Sequence, residues 1–307
     1  MRMGNKGLAR AGAAVLGAVA GWSVARAYRD IDPHPVRTAS GPALVRTVRG
    51  LGGGAKGAPG EPVRVLQKGG VFQSATYLGA RRFEPPFAYY RAFDAMFEAE
   101  DAMRAGAGHG ISHVLMLGGG GFSCPKHLLT THEGISMDVV EVDPAMVGIA
   151  RRWFFLGELE SRLSDPATSH GNALKVIVGD GRAYLDAACD GAPGYDAIVN
   201  DAFCGARPAR PLATVEAARA ARSALRPGGV YLANVVSEDG GCDVSFLRDE
   251  VATLLQVFSE VAIVEACDEA FGGEDNYLLI ASDAPYRFAG EIPYDADFPM
   301  GVIRDGG

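Results

Sequence analysis

From His113 onward the chain alternates between short apolar runs and stretches of helical periodicity. Runs at 113–118, 138–143, 174–180, 195–201, 229–236, 261–267 and 276–282 read as buried strands. Between them, 124–133, 144–156, 212–225 and 245–258 carry apolar residues at helical spacing. The Ala- and Arg-rich stretch from Ala213 to Leu225 stops at Pro227-Gly228-Gly229, just before another apolar run. Strands alternating with helices predict a mainly parallel sheet covered on both faces. No helical pattern separates the last two runs, so the final strand is expected to be antiparallel. Upstream, Val63 to Leu78 holds two strand-like runs around Lys68-Gly69-Gly70, a hairpin pattern. Phe87 to Met103 reads as one helix, with Phe87, Tyr90 and Phe97 at helical spacing.

The polar residues that close these strands carry the chemistry. The first strand ends in Gly118, Gly119, Gly120 and Gly121, and Ser123 offers an N-cap to the helix beyond. Strand, glycine turn and helix N-terminus let backbone N–H groups approach a ligand closely. The second strand ends at Glu141 and Asp143, with Glu141 placed 21 residues after Gly120. An acid at that distance suits a ribose diol, since a carboxylate accepts from both hydroxyls. Asp143 is either a ligand contact or the cap of a helix beginning at Pro144. The third strand closes in Asp180-Gly181-Arg182 and the fourth in Asn200-Asp201. Asp180 suits an exocyclic amine such as that of adenine, and Arg182 is expected to pair with a nearby acid. Such residues on one rim of a parallel sheet predict a ligand there.

Composition narrows the class. The chain has 307 residues, is 48% hydrophobic and carries a formal net charge of −8, which excludes a general nucleic-acid binder. Its five scattered cysteines contain no Cys-x-x-Cys pair, so neither a disulfide framework nor a zinc site is expected, and a cytoplasmic setting is. Cys204 lacks a sequence-adjacent histidine and reads as inert; His127 and His132, on one helix, lack the acidic partners a metal site would want and read as surface. Residues 1–30 join basic ends to an apolar run too short for a bilayer span. A loosely held extension is the first reading, a membrane tether the second and export the third. The organisation expected is this segment, a Gly/Pro-rich linker at 31–62, a hairpin and helix at 63–105, a nucleoside-binding domain at 106–284 and a tail at 285–307.

These motifs resemble the spermidine synthase family and its spermidine synthase-like bacterial relatives. The residues that carry the resemblance are Gly-Gly-Val-Phe-Gln-Ser-Ala-Thr-Tyr-Leu, Leu-Gly-Gly-Gly, Val-Val-Glu-Val-Asp-Pro, Val-Gly-Asp-Gly-Arg and Tyr-Asp-Ala-Ile-Val-Asn-Asp-Ala-Phe, with Arg226-Pro-Gly-Gly-Val as a weaker match. The resemblance implies a Rossmann-like class I methyltransferase fold: α/β, a seven-stranded mainly parallel sheet with the last strand antiparallel, preceded by a small N-terminal β-hairpin region. It implies S-adenosylmethionine or its decarboxylated form as donor, no metal, a small-molecule amine as acceptor, and a homodimer. Gly118, Gly119 and Gly120 would pass beneath the nucleoside, Glu141 would hold the ribose, and Asp180 with Gly181 the adenine. Asp201 falls where the family keeps the acid that takes a proton from the attacking amine. Tyr89 and Tyr90 fall near acceptor and donor, and Gln73 joins the donor site unless it only satisfies the hairpin backbone.

The sequence also departs from the family pattern. Gly121 stands where spermidine synthases carry an Asp, Cys204 replaces a second acid three residues after Asp201, and Phe271 replaces a late tyrosine. An Asp at 121 would attract the ammonium of decarboxylated S-adenosylmethionine and repel the carboxylate of the intact donor. Methyl transfer from S-adenosylmethionine is therefore the first reading. A genuine polyamine aminopropyltransferase, neutralising its amine through Glu238, Asp239 or Glu269, is the second. A nucleoside-binding protein without catalysis is the third.

Overall fold

The computed structural model describes residues 32–49, 61–188, 194–205, 207–237, 243–266 and 276–306. Strands β1 (His34–Thr38), β2 (Gly41–Val48), β3 (Val63–Lys68) and β4 (Val71–Tyr77) form an antiparallel sheet in chain order. The folded part thus begins well before Val63, and 31–62 is not a linker throughout. Ala43 and Val45 are buried and Leu44 is exposed between them, a two-residue alternation hidden among glycines and prolines. Residues 51–60, where most of those glycines lie, and the segment 1–30 fall outside the described residues.

The single helix expected over 87–103 is three: α1 (Ala88–Ala92), α2 (Ala95–Glu98) and α3 (Glu100–Ala107). Asp94 N donates to Arg91 O and Phe97 N to Asp94 O, three-residue bonds that tighten and redirect the chain.

The rest follows the alternation. In order come β5 (His113–Leu117), α4 (Ser123–Thr131), β6 (Ser136–Glu141), α5 (Pro144–Trp153), α6 (Leu156–Leu163), α7 (Pro166–Ser169), β7 (Ala173–Val178) and α8 (Gly181–Ala188). Then come β8 (Tyr195–Asn200), the small hairpin β9 (Phe203–Cys204) and β10 (Arg207–Pro208), α9 (Val215–Ala224), β11 (Leu225–Val236), α10 (Ser245–Leu254), β12 (Glu260–Glu265), β13 (Asn276–Ser282) and β14 (Glu291–Ile292). The stretch expected as one helix over 144–156 breaks at Phe155, which takes a left-handed φ of 62° before α6. Helix α8 was not among the expected elements.

The main sheet runs β14-β12-β13-β11-β8-β5-β6-β7. Strands β11, β8, β5, β6 and β7 are parallel, and β13 is antiparallel to both its neighbours. This is the expected α/β, methyltransferase-like sheet, with the two-residue β14 added at one edge. Alternate residues of each strand serve opposite cores. Val114 and Met116 pack with Met103, Leu128 and Val147, whereas Leu115 and Leu117 pack with Leu185, Ala221 and Val251. The N-terminal sheet docks on α5, where Ala43, Val45 and Leu66 meet Ile149, Trp153 and Phe154. Residues after 285 are held too: Ile303 is buried and Asp305 pairs with Arg182.

Candidate functional site

The carboxyl ends of β5, β6, β7 and β8 meet the N-terminal sheet and α1 around a cavity of 750 Å³. Gly118, Gly120, Glu141, Asp143, Asp180, Gly181, Asp201, Tyr89, Tyr90 and Gln73 all line it. Gly119 does not line it. A Cβ there would meet the Phe122 ring at 2.8 Å, so Gly119 is a packing glycine whose N–H serves the loop.

The glycine turn is fixed by two acceptors. Glu141 Oε2 accepts from Gly119 N at 3.0 Å and Gly120 N at 2.9 Å, while its Oε1 accepts from Asp143 N at 2.9 Å. Ser74 Oγ on β4 accepts from Gly121 N at 2.8 Å. Gly118 sits at φ +92°, and a Cβ on it would lie 2.5 Å from the Asp201 carbonyl oxygen. Only glycine lets β5 and β8 end this close together. The expected cap does not form. Phe122, at φ 57°, precedes α4, and Ser123 Oγ instead donates to Ala75 O at 2.9 Å.

Gly121 carries a further correction. A Cβ there would meet Ser74 Cβ at 2.8 Å and Phe154 at 3.2 Å, and Gly121 does not line the cavity. In this chain Gly121 thus packs against β4 and Phe154 rather than on the cavity wall.

Asp143 caps α5 through Ala145 N at 2.8 Å, and its other oxygen accepts from Ala39 N at 2.6 Å. That bond brings Thr38, Ala39 and Ser40 of the β1–β2 turn to the cavity rim, where Lys68 Nζ donates to Ser40 Oγ. Sequence reasoning missed this wall; the alternation around Val45 was the available signal. Asp180 caps α8 through Ala183 N at 2.8 Å, leaving its other oxygen without a hydrogen bond among the described residues. Arg182 pairs with Asp186, as expected, and also with Asp305.

Asp201 stands apart from these acids. Its backbone N donates to Leu117 O, and its Oδ1 accepts from Asn234 Nδ2 at 2.9 Å. Part of its surface opens on the cavity, but protein crowds it elsewhere. That burial pushes its pKa up to about 7, with the Asn234 hydrogen bond pulling the other way. The Tyr89 and Tyr90 rings lie tilted against each other at 4.1 Å between centroids, and their hydroxyls share a hydrogen bond. Burial first, and then the Asp201 charge, holds both phenols well above their ordinary range. Cys124 lies behind them, buried, its thiol also pushed up by burial. Asn234, on β11, was not singled out from the sequence; an amide inside a buried strand run was its only mark. Cys204 is exposed and lines the cavity.

Two histidines need revision. His127 is buried, and its Nε2 lies 2.7 Å from Asp94 Oδ2; His132 Nε2 lies 3.6 Å from Asp94 Oδ1. Their shared acidic partner comes from the turn before α2. No group of three metal-ligating side chains occurs among the described residues. No helix there is long and apolar enough to cross a membrane. Glu238, Asp239, Glu269 and Phe271 lie outside the described residues.

The family model "Spermine/spermidine synthase domain" matches residues 103–267, more than half the chain. The chain belongs to the spermine/spermidine synthase family. A polyamine aminopropyltransferase of Vibrio vulnificus (strain CMCP6) is 34% identical over 148 residues, which are 48% of this chain and 44% of that protein. Putrescine N-methyltransferase 3 of Nicotiana tabacum is 34% identical over 147 residues, 47% of this chain and 35% of that one. The matched stretch thus spans less than half the length of either relative. A probable spermidine synthase from Corynebacterium glutamicum shares the fold at a TM-score of 0.59 and 21% identity, covering 84% of this chain and 82% of that one. A spermidine synthase solved with the transition-state analogue AdoDATO superposes at 0.56 with 18% identity, covering 82% and 72%.

Proposed function

We propose that this family member is an amine N-alkyltransferase, that its donor is S-adenosylmethionine or a near relative, and that methyl is the group moved. Asp201 carries the reading: a crowded carboxyl with one oxygen held by Asn234, on the wall that also holds Gly118, Tyr89 and Tyr90. The nucleoside would lie along Gly118 and Gly120, with Glu141 at the ribose and Asp180 with Gly181 at the base. As the S–CH3 bond breaks and an N–CH3 bond forms, the sulfonium becomes a neutral thioether. The amine then gives its surplus proton to Asp201. A base titrating near pH 7 suits this task, because it is ionised often enough to accept and basic enough to do so. Its charge also stabilises the positive amine in the transition state.

The methyl reading leans on the donor's tail rather than on the net charge of the wall, where Lys68 and Arg182 stand among the acids Glu141, Asp143, Asp180 and Asp201. Cys204 puts a neutral side chain three residues beyond Asp201, so the wall lacks one acid that would hold an ammonium, and the two cations suit a donor that also carries a carboxylate. The aminopropyl reading is supported by the Vibrio relative. Incubation of the purified chain with S-adenosylmethionine and with its decarboxylated form, over an amine panel that includes putrescine, separates the two by product mass. Asp201→Asn is expected to abolish turnover while nucleoside binding persists. Aminopropylated product alone would sink the methyl reading, and nucleoside binding with no turnover of any amine would leave a binding protein.

A further inference from the structure

Asp201 is an unusual base for its surroundings. Facing it are Tyr89 and Tyr90 from α1, Cys124 from α4 and Asn234 from β11, none of them a cation. The cavity's other charges, Lys68, Arg182, Glu141, Asp143 and Asp180, have their own partners in Ser40, Asp186 and Asp305, the glycine turn and two helix N-termini. The groups facing Asp201 thus leave one side chain to favour its ionised form. Asn234 is buried, lies on the rigid middle of the sheet opposite Leu278, and puts Nδ2 2.9 Å from Asp201 Oδ1. Asp201 Oδ2 has no hydrogen bond among the described residues. The backbone is fixed as well, since Asp201 N donates to Leu117 O and its carbonyl fills the space that Gly118 leaves open.

We propose that Asn234 is the positioning residue for Asp201: its amide holds one carboxylate oxygen and reserves the other for the proton of the acceptor amine. Asn234 need not touch the substrate. Its effect is to keep the acid ionised and turned one way where burial alone would protonate it and leave it free to rotate. This rests on the reading of Asp201 as the proton acceptor.

The test uses two variants of the full chain. Asn234→Leu removes the donor; Asn234→Asp keeps the shape but sets a second carboxyl beside the first, so the two titrate as a pair that shares a proton. Asn234→Asp is expected to split the pair into two separated steps. Asn234→Leu is expected to move the Asp201 titration, followed by carbon-13 NMR of labelled carboxyls, upward by about one to two pH units, the worth of a hydrogen bond to a charged group. The acid limb of kcat/KM moves with it, so turnover at neutral pH falls about tenfold or more and recovers as pH rises, while nucleoside Kd stays put. Asn234→Ser, which restores a donor, brings part of the shift back. Coincident titration curves for wild type and Asn234→Leu would overturn the proposal. Wild-type turnover in Asp201→Asn would overturn the base reading instead, and the NMR titration separates that failure from this one.

Discussion

Lys126 is the most improbable residue in the core, and its removal should stabilise the protein. It lies on α4 with no exposed surface, its Nζ 2.8 Å from Thr76 Oγ1 and 3.2 Å from Arg82 O, with the Phe155 ring centroid 6.0 Å away. No carboxylate is among these partners. Burial lowers its pKa from 10.5 to about 7, so the folded state prefers the neutral amine. The unfolded chain binds a proton that the native state refuses, so stability rises with pH between 7 and 10.5. Converted at 1.36 kcal/mol per unit, the cost is about 4 kcal/mol near pH 7.5 and about 1.4 kcal/mol near pH 9.5. Lys126→Met removes that cost and keeps most of the volume. It leaves no orphaned acceptor, because the Thr76 hydroxyl lies 3.0 Å from Arg82 O and still donates to it. Urea unfolding of both proteins near those two pH values measures the effect. The variant should lead by a few kcal/mol near neutrality, and the gap should shrink by about 2.5 kcal/mol at the higher pH. A gap that is the same at both pH values would refute the reasoning, since only a titrating lysine makes it vary.

Two further substitutions probe the site's frame. Gly118→Ala places a Cβ 2.5 Å from the Asp201 carbonyl at a φ of +92°, and should cost about 2–4 kcal/mol from overpacking and left-handed strain, with nucleoside binding lost in calorimetry. Asp143→Ala removes both the α5 cap and the acceptor for Ala39 N, and should cost about 1–2 kcal/mol in a thermal or urea melt. In that variant the β1–β2 turn should also become more sensitive to protease, which an Asp143 acting only on ligand would not produce.

The sheet was legible because its inner strands are buried on both faces, so they appear as largely apolar runs such as Val114–Leu117, while the edge strand β7 is only half-buried. The rim was legible for a related reason: Gly118, Glu141, Asp180 and Asp201 stand at or just past the carboxyl ends of β5, β6, β7 and β8, which parallel pairing brings together. What escaped depends on contacts between distant segments. The β1–β2 hairpin is held by a face only two residues deep in pattern, Ala43 and Val45, against a helix a hundred residues later. The turns that split 87–103 into three helices arise from backbone bonds with no residue signature. Asp94 reaches His127 and His132 only because those turns redirect it.

Glu141 shows how far a spacing argument reaches. An acid at the tip of β6 reads as a ribose ligand, yet its two oxygens already accept three backbone N–H groups, from Gly119, Gly120 and Asp143. A carboxylate has about four lone-pair positions, so room is left for about one more donor. The same side chain therefore builds the turn on which a nucleoside would rest and can offer that nucleoside a hydrogen bond. This predicts an asymmetry that conservation of charge alone would not. Glu141→Gln keeps an oxygen for the glycine amides but turns an NH2 toward a backbone donor, either at Asp143 or at Gly119 and Gly120. Asp at the same position keeps the charge but falls one methylene short of all three. If the ribose contact dominated, Glu141→Asp would be the milder change. Since the turn is built on this carboxylate, both variants should lose at least about tenfold in nucleoside affinity and about 1–3 kcal/mol in stability, the amount an unpaired buried donor costs. Loss of affinity with an unchanged melting temperature in both would reverse the assignment and return Glu141 to a ligand contact alone.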